Sequence, residues 1–300
     1  MQTGVVGLGA MGGHMARNLH RAGLLVSLWN RTPAKARALA QELGCEPAAS
    51  LAALAAQCEA VVVCVSADQD VLEVVAALAP TLRKGALVID CSTVSSEAAR
   101  IASARLARQG VDFLDCPVSG GVEGARDATL AIMVGGEERA FERARPLLAT
   151  IGKTVTYFGP SGSGQAAKAT NQIMCAGIIQ AVAEAMAFAR AHELPLDRLV
   201  ETLGKGAGSS WYFVHRAPNM IRGTFPAGFR VRLHAKDLGI CRDMAARFDV
   251  SLPVVERMLK EYAELIARGY ADEDISADFR LKAELFGIPV GPPDGSAPDS

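Results

Sequence analysis

The 300-residue chain lacks most of the signatures that would place it outside soluble small-molecule chemistry. Its seven cysteines (Cys45, Cys58, Cys64, Cys91, Cys116, Cys175 and Cys241) form no CxxC pair, and several lie in apolar strand-like runs where Cys acts as a small hydrophobe. A reduced, cytoplasmic protein is expected. Five histidines (His14, His20, His192, His215, His234) show no ligand spacing, so no metal is expected. Met1 is followed within a few residues by an apolar strand, which leaves no basic leader to read. No uninterrupted run reaches the roughly 18 apolar residues of a membrane span; the longest candidate, Met174 to Ala191, carries Gln180, Glu184 and Arg190. The formal net charge is -1, which gives neither nucleic acid nor an anionic membrane a reason to bind. A small-molecule partner is the expectation that remains.

What is present divides in two, and the length suits two domains. Gln2 to Val6 is a short apolar strand running into Gly7-Leu8-Gly9-Ala10-Met11-Gly12. Met11, Met15, Ala16 and Leu19 then give one apolar helical face, stopped at Gly23. Strand, G-x-G-x-x-G and helix in register point to dinucleotide binding. The first glycine permits the turn, the second lets the backbone approach a pyrophosphate, and the third lets helix and strand pack closely. The phosphates would sit on the helix N-terminus.

Leu24 to Trp29 is the second strand and ends in Asn30-Arg31-Thr32, where an NAD-binding fold usually carries an acid for the ribose. Arg31 offers a guanidinium fork to a phosphate instead, which favours NADP. An arginine stacked on adenine or left in solvent, with NAD as cofactor, is the other reading. The strand Ala60 to Val65 ends at Val65-Ser66, and Leu87 to Asp90 ends in Cys91-Ser92-Thr93-Val94-Ser95. Thr93 is a cofactor candidate there, and a helix N-cap among Ser92, Thr93 and Ser95 is equally compatible. A strand at Val111 runs into Pro117-Val118-Ser119-Gly120-Gly121, which reads as a carboxylate nest or a plain loop. Helices over Pro33–Leu43, Ser50–Gln57, Asp70–Leu82, Ser96–Gln109 and Glu138–Ile151, with a short strand after Gly44 and strands at Thr129–Val134 and Thr154–Phe158, complete this half.

The Gly/Ser/Pro cluster from Gly159 opens Gly162-Ser163-Gly164-Gln165-Ala166-Ala167-Lys168-Ala169-Thr170-Asn171-Gln172, the start of a long helix to His192. Lys168 and Asn171 are three apart and share a helix face expected to point back at whatever the first half binds. Two ordinary polar residues near a helix start is the plainer alternative. Beyond it, Pro195–Leu203, Ala217–Arg222, Leu233–Phe248 and Pro253–Arg268 read as helical, with no strand pattern. Residues 291–300 are Gly/Pro/Asp/Ser-rich, as disordered tails are.

In this order the motifs resemble the β-hydroxyacid dehydrogenases, which act on small 3-hydroxy acids such as 3-hydroxyisobutyrate and on semialdehydes such as tartronate, glyoxylate or succinic semialdehyde. The resemblance runs from Gly4 to about Phe286 and includes Asp115 to Gly121 and Gly228 to Leu238. It implies an α/β Rossmann dinucleotide-binding domain (1–161), a long interdomain helix (162–192) and an all-α C-terminal domain (193–290). It also implies a homodimer or homotetramer.

By that resemblance Lys168 is catalytic, and Asn171 or Gln172 helps hold substrate. Ser119, Gly120 and Gly121 bind its carboxylate, Thr93 faces the nicotinamide, and Lys236 closes over the cofactor. Gly7 to Gly12, Asn30 to Thr32, Val65 and Ser66 complete the cofactor set. Asn171-Gln172 resembles the tartronate semialdehyde reductase branch, whereas Asn30-Arg31-Thr32 resembles the NADPH-dependent semialdehyde reductases. Imine reductases usually replace the lysine, and non-catalytic relatives have lost it.

Hydride exchange at a carbinol carbon needs a proton group beside it, and Lys168 can supply one. A lysine near its ordinary pKa of about 10.4 is a poor base at neutral pH, so burial or a cationic neighbour such as Lys236 is expected to lower it. Trp211 and Tyr212 are candidates for the pocket wall, or for simple core packing.

Overall fold

The computed structural model describes residues 1–290; the tail expectation for 291–300 lies outside them. Two compact units divide at Lys168/Ala169. The first alternates strand and helix in the order β1 (Thr3–Val6), α1 (Gly12–Arg21), β2 (Leu25–Trp29), α2 (Pro33–Leu43), α3 (Leu51–Gln57), β3 (Ala60–Val63), α4 (Asp68–Leu78), β4 (Leu87–Asp90), α5 (Ser96–Ala107), β5 (Asp112–Asp115), β6 (Val118–Ser119), α6 (Gly121–Arg126), β7 (Leu130–Gly136), α7 (Glu138–Leu148) and β8 (Gly152–Gly159). It is a Rossmann-type domain. The strands form one sheet ordered β2-β1-β3-β4-β5-β7-β6, with β8 on β7.

Why those apolar runs are strands is visible on the two sheet faces. Val5, Val62, Ile89 and Leu114 pack with Met15 and Leu19 of α1, Leu39 of α2 and Phe141 of α7. Their neighbours Val6, Val61, Val63, Val88 and Phe113 turn the other way, onto Leu54 of α3, Val71 and Val75 of α4 and Leu106 of α5. A strand covered on both faces needs apolar side chains at every position. Each fully buried Val or Leu contributes on the order of 1.5–3 kcal/mol.

The pairings β1–β2, β1–β3, β3–β4 and β4–β5 are parallel, and their register aligns Trp29, Val6, Val63, Asp90 and Asp115 as partners. The residues that follow these five strands therefore line one edge of the sheet. Because β2 and β3 lie on opposite sides of β1, the strand order reverses there, the position where such sheets bind ligands.

Two short elements differ from expectation. The Pro117–Gly121 segment is ordered: Val118 and Ser119 pair antiparallel with Ile132 and Ala131, and α6 follows at once. The strand expected after Gly44 is only a single bridge between Leu28 and Pro47. A strand of one pair leaves no alternation to read.

Helix α8 (Ser163–Ala191) continues from the first unit into the second. The second unit adds α9 (Leu196–Leu203), α10 (Trp211–Arg222), α11 (Val231–Ala246), α12 (Pro253–Ala267), a short 3-10 turn (Ile275–Ala277) and α13 (Asp278–Glu284). Among the described residues it contains no strand, only a bridge between Arg230 and Asp274. By length and composition α8 is apolar enough to cross a membrane, yet its Ala176, Ile179, Ala183, Met186 and Ala187 are buried in this unit's core with Met220, Leu238, Met258 and Phe279. Tyr212 belongs to that core, whereas Trp211 is exposed and stacks on His215.

Candidate active site

The glycine turn after β1 is built as close packing demands. Gly7 sits at φ +90°, and a Cβ on it would stand 2.1 Å from the Cys64 carbonyl oxygen. A Cβ on Gly12 would stand 2.0 Å from the Gly7 oxygen, so any larger residue at either position would force turn, helix and β3 apart. Gly9 is different: a Cβ there meets nothing within 4 Å. The second glycine thus faces open space at the start of α1, as a backbone approached by a pyrophosphate should. This turn fits a dinucleotide.

Asn30 supports the turn from the next strand, its Oδ1 accepting from Leu8 N–H at 2.9 Å. Arg31 is exposed and pairs with Asp70 of α4, Nη1 to Oδ1 2.8 Å. Thr32 is exposed at the N-terminus of α2.

The segment after β4 is held on all sides. Ser92 N–H donates to Asp90 Oδ1 at 3.0 Å, and Ser92 Oγ accepts from Val65 N–H at 2.9 Å. Ser95, not Thr93, caps α5, accepting from Ala98 N–H at 3.0 Å while its own N–H donates to Asp68 Oδ1 at 3.0 Å. Thr93 stands half-buried between these anchors, and Ser66 is exposed at the end of β3. The cap reading of this segment thus falls on Ser95 and leaves Thr93 outside it.

Asp115 is fully buried and accepts from Gly162 N–H at 2.8 Å and Gln165 N–H at 3.0 Å. Its carboxylate therefore sits on the N-terminus of α8, where backbone donors have no helical partner. Burial pushes its pKa up, and those backbone N–H groups oppose the rise. The glycines beside it are required: a Cβ on Gly164 would meet Asp115 O and Met133 O at 2.5 Å each. Asp90, its partner across β4–β5, has its pKa pushed up to about 7, chiefly by burial. Asp90 Oδ2 is buried with no hydrogen-bond partner. Lys168, one turn beyond Gln165 on the same helix, is 7% exposed.

Ser119 pairs with Ala131 at the start of α6, with Gly120 at φ +131° and Gly121 at φ +67°, both exposed. In the second unit, a chain of contacts links three candidates. Asn171 Nδ2 donates to Gln172 Oε1 at 2.9 Å, Gln172 Nε2 donates to Asp237 Oδ2 at 2.7 Å, and Lys236 Nζ lies 2.9 Å from Asp237 Oδ1.

Comparison with known proteins decides the family. The model for the NAD binding domain of 6-phosphogluconate dehydrogenase matches residues 2–159, and the one described as NAD-binding of NADP-dependent 3-hydroxyisobutyrate dehydrogenase matches 162–281. The chain belongs to the β-hydroxyacid dehydrogenase family. Its relatives within this family include the 2-hydroxy-3-oxopropionate reductase of Escherichia coli, 35% identical over 92% of this chain and 95% of the relative. The NAD-dependent L-serine dehydrogenase of Pseudomonas aeruginosa is 33% identical over 290 residues, 93% of this chain and 97% of the relative. The structure of Mycobacterium tuberculosis 3-hydroxyisobutyrate dehydrogenase with L-serine superposes with a TM-score of 0.86 at 33% identity, covering 94% of this chain and 99% of that one. This β-hydroxyacid dehydrogenase is accordingly an NAD(P)-dependent oxidoreductase acting on small hydroxy acids as a class.

Sequence reasoning missed four residues that shape the site: Asp68, Asp115, Gln165 and Asp237. Asp115, Gln165 and Asp237 stand inside the motifs that carry the resemblance. Their types alone, a strand-end acid, a helix-start amide and a mid-helix acid, gave no sign of whom they bond.

Proposed function

We propose that this enzyme interconverts a small 3-hydroxy acid and its semialdehyde, of the 3-hydroxyisobutyrate or 2-hydroxy-3-oxopropionate type, with Lys168 as general acid/base and NADP as preferred cofactor. The observation that carries the reading is Lys168 itself, a buried lysine at the start of a helix fixed by Asp115. When bound, the nicotinamide exchanges a hydride with the substrate carbon. Lys168 takes the hydroxyl proton in oxidation and returns it in reduction, help that contributes about 10²–10⁴-fold. The N–H groups of Ser119, Gly120 and Gly121 would hold the carboxylate, Asn171 and Gln172 would orient the substrate, and Lys236 would serve the cofactor. The glycine turn, Val65, Ser66 and Thr93 would bind the rest of the dinucleotide, with Asn30 and Thr32 shaping the loop that presents Arg31.

Two relatives' names specify serine and 2-hydroxy-3-oxopropionate, which supports substrates bearing a polar group beside the carboxylate. Glyoxylate and succinic semialdehyde are the second reading, favoured by Asn30-Arg31-Thr32. The presence of Lys168 supports either one over imine reduction or a non-catalytic module. A screen of small 3-hydroxy acids and semialdehydes with NADP and NAD, followed by nicotinamide absorbance, tests the assignment. Lys168→Ala is expected to lose most of kcat and keep cofactor affinity; near wild-type turnover would sink the role of Lys168, and good turnover of simple alcohols would sink the carboxylate nest.

We also infer a cytoplasmic homodimer or homotetramer with neither nucleic acid nor membrane as partner. None of the described cysteines forms a disulfide, and the helical unit exposes Met174, Phe188, Trp211, Phe248 and Leu285, as an association surface would. Light scattering that returns a monomer mass would refute the oligomer.

A further inference from the structure

We propose that Gln165 is a positioning residue that locks the segment carrying Thr93 to the helix carrying Lys168, so that the cofactor-facing group and the proton-transfer group are held as one piece. The proposal rests on the reading of Lys168 and Thr93 given above. Gln165 is 1% exposed, a burial that a polar amide tolerates only with its groups bonded. Its Oε1 accepts from Val94 N–H at 3.2 Å, and its Nε2 donates to Ser92 O at 2.9 Å. Those two backbone groups flank Thr93. In extended backbone the C=O of one residue and the N–H of the residue two further on lie on the same edge. One planar carboxamide, with its donor beside its acceptor, thus pairs with that edge as a short piece of strand would.

The other end of Gln165 is equally fixed. Its own N–H donates to Asp115 Oδ2 at 3.0 Å, so both the main chain and the side chain of this one residue are anchored. Ser96, two residues past Val94, adds a bond from Oγ to Gly162 O at 2.8 Å. Residues three apart on a helix are neighbours on its surface, so Lys168 stands beside the amide that grips Ser92 and Val94. No other side chain type serves. Leucine removes both bonds, asparagine is one methylene short, and glutamate keeps the acceptor but donates to Ser92 O only when protonated.

Displacing a reacting group by about 1 Å can cost about 10²-fold in rate. Gln165→Leu is therefore expected to lower kcat by about 10- to 100-fold while cofactor affinity, read by fluorescence titration, changes far less. Hydrogen–deuterium exchange of the cofactor-free chain should show faster exchange over the Ser92–Ser95 segment, an effect independent of turnover. A kcat close to wild type, or unchanged exchange at that segment, would overturn the proposal. If Gln165→Leu does not fold, Gln165→Glu carries the test: its kcat relative to wild type should recover as pH falls and the glutamate gains a proton. A deficit that does not change with pH refutes the coupling. Lys168→Ala separates the two levels of inference. If it is inactive while the Gln165 variants turn over normally, the coupling fails and the functional reading stands. If Lys168→Ala is itself active, both fail.

Discussion

The two units bury polar groups in different ways. In the first, buried side chains bond to backbone: Asp115 to Gly162 and Gln165, Gln165 to Ser92 and Val94, Ser92 to Val65. In the second they mostly bond to one another. Arg280 meets both oxygens of Glu273 at 2.8 and 3.0 Å, and Lys282 pairs with Glu261 close to Asp278. Arg280 also lies over the rings of Phe225 and Tyr270, 4.6 and 4.3 Å from their centroids. Bonds to backbone fix the path of a loop, which a site needs. Bonds between side chains tie helices together and can be replaced as a set. The Gln172–Asp237–Lys236 chain is the second unit's departure from that pattern, and it joins residues that the proposed function places in the site.

Breaking the second unit's cluster should give the largest loss of stability. Lys282→Ala removes the buried cation beside Asp278 and leaves Glu261 only the more exposed Arg257, 3.1 Å away, and removal of one partner from a buried pair costs about 3–5 kcal/mol. Replacing Lys282, Glu261 and Asp278 together by leucine should recover most of that loss, as measured by denaturant unfolding. If the triple variant is as unstable as the single one, these charges do more than join helices. Asp115→Ala should cost less, about 1–3 kcal/mol for buried N–H groups left without an acceptor. It should nonetheless lower kcat, because the bonds it removes hold the start of α8. Loss of stability with kcat intact would place Asp115 with the ion pairs.

Each unit also holds one carboxyl pushed up to about 7, Asp90 and Asp278, and in both burial is the main cause. Lys282 pulls Asp278 back down and Glu261 pushes it further up, whereas Asp90 has no cation among its causes. A raised carboxyl pKa means that the folded chain binds a proton the unfolded chain has released. Stability contributed by that proton is full below the unfolded pKa of about 3.9 and is lost as pH rises toward about 7. Asp90→Asn should remove its part of that decline, so the variant's Tm falls less than wild type between about pH 4 and 7, the window that linkage sets. A pH profile parallel to wild type would show that Asp90 is ionised throughout.

Much of the first unit was legible because its signals are local. Glycines at Gly7 and Gly12 are required by contacts within a few residues or with the adjacent strand, and strands buried on both faces read as continuous apolar runs. The reach of Asp115 to Gly162 and of Gln165 to Ser92 was not legible, since each crosses dozens of residues of chain through a fold not yet built. α6 was missed for its length, six residues with two glycines. In the second unit helices were readable, but α13 was not: Asp278, Arg280 and Lys282 look like a solvated face in sequence and are all buried. Partners far along the chain make them so.

The smallest expected effect concerns cofactor choice. Arg31 is exposed and its guanidinium is already engaged by the half-buried Asp70. An exposed pair of this kind is worth about 0–1 kcal/mol, so a phosphate on the ribose can take Arg31 from Asp70 at modest cost. Asp70 would then moderate the preference for NADP, leaving NAD, which offers no phosphate there, indifferent to it. Asp70→Asn should tighten NADP by up to about fivefold with little change for NAD, and the gain should shrink as salt screens the guanidinium. Arg31→Ala should weaken NADP alone. If either substitution shifts both cofactors equally, Arg31 and Asp70 only shape the loop and do not discriminate between NADP and NAD.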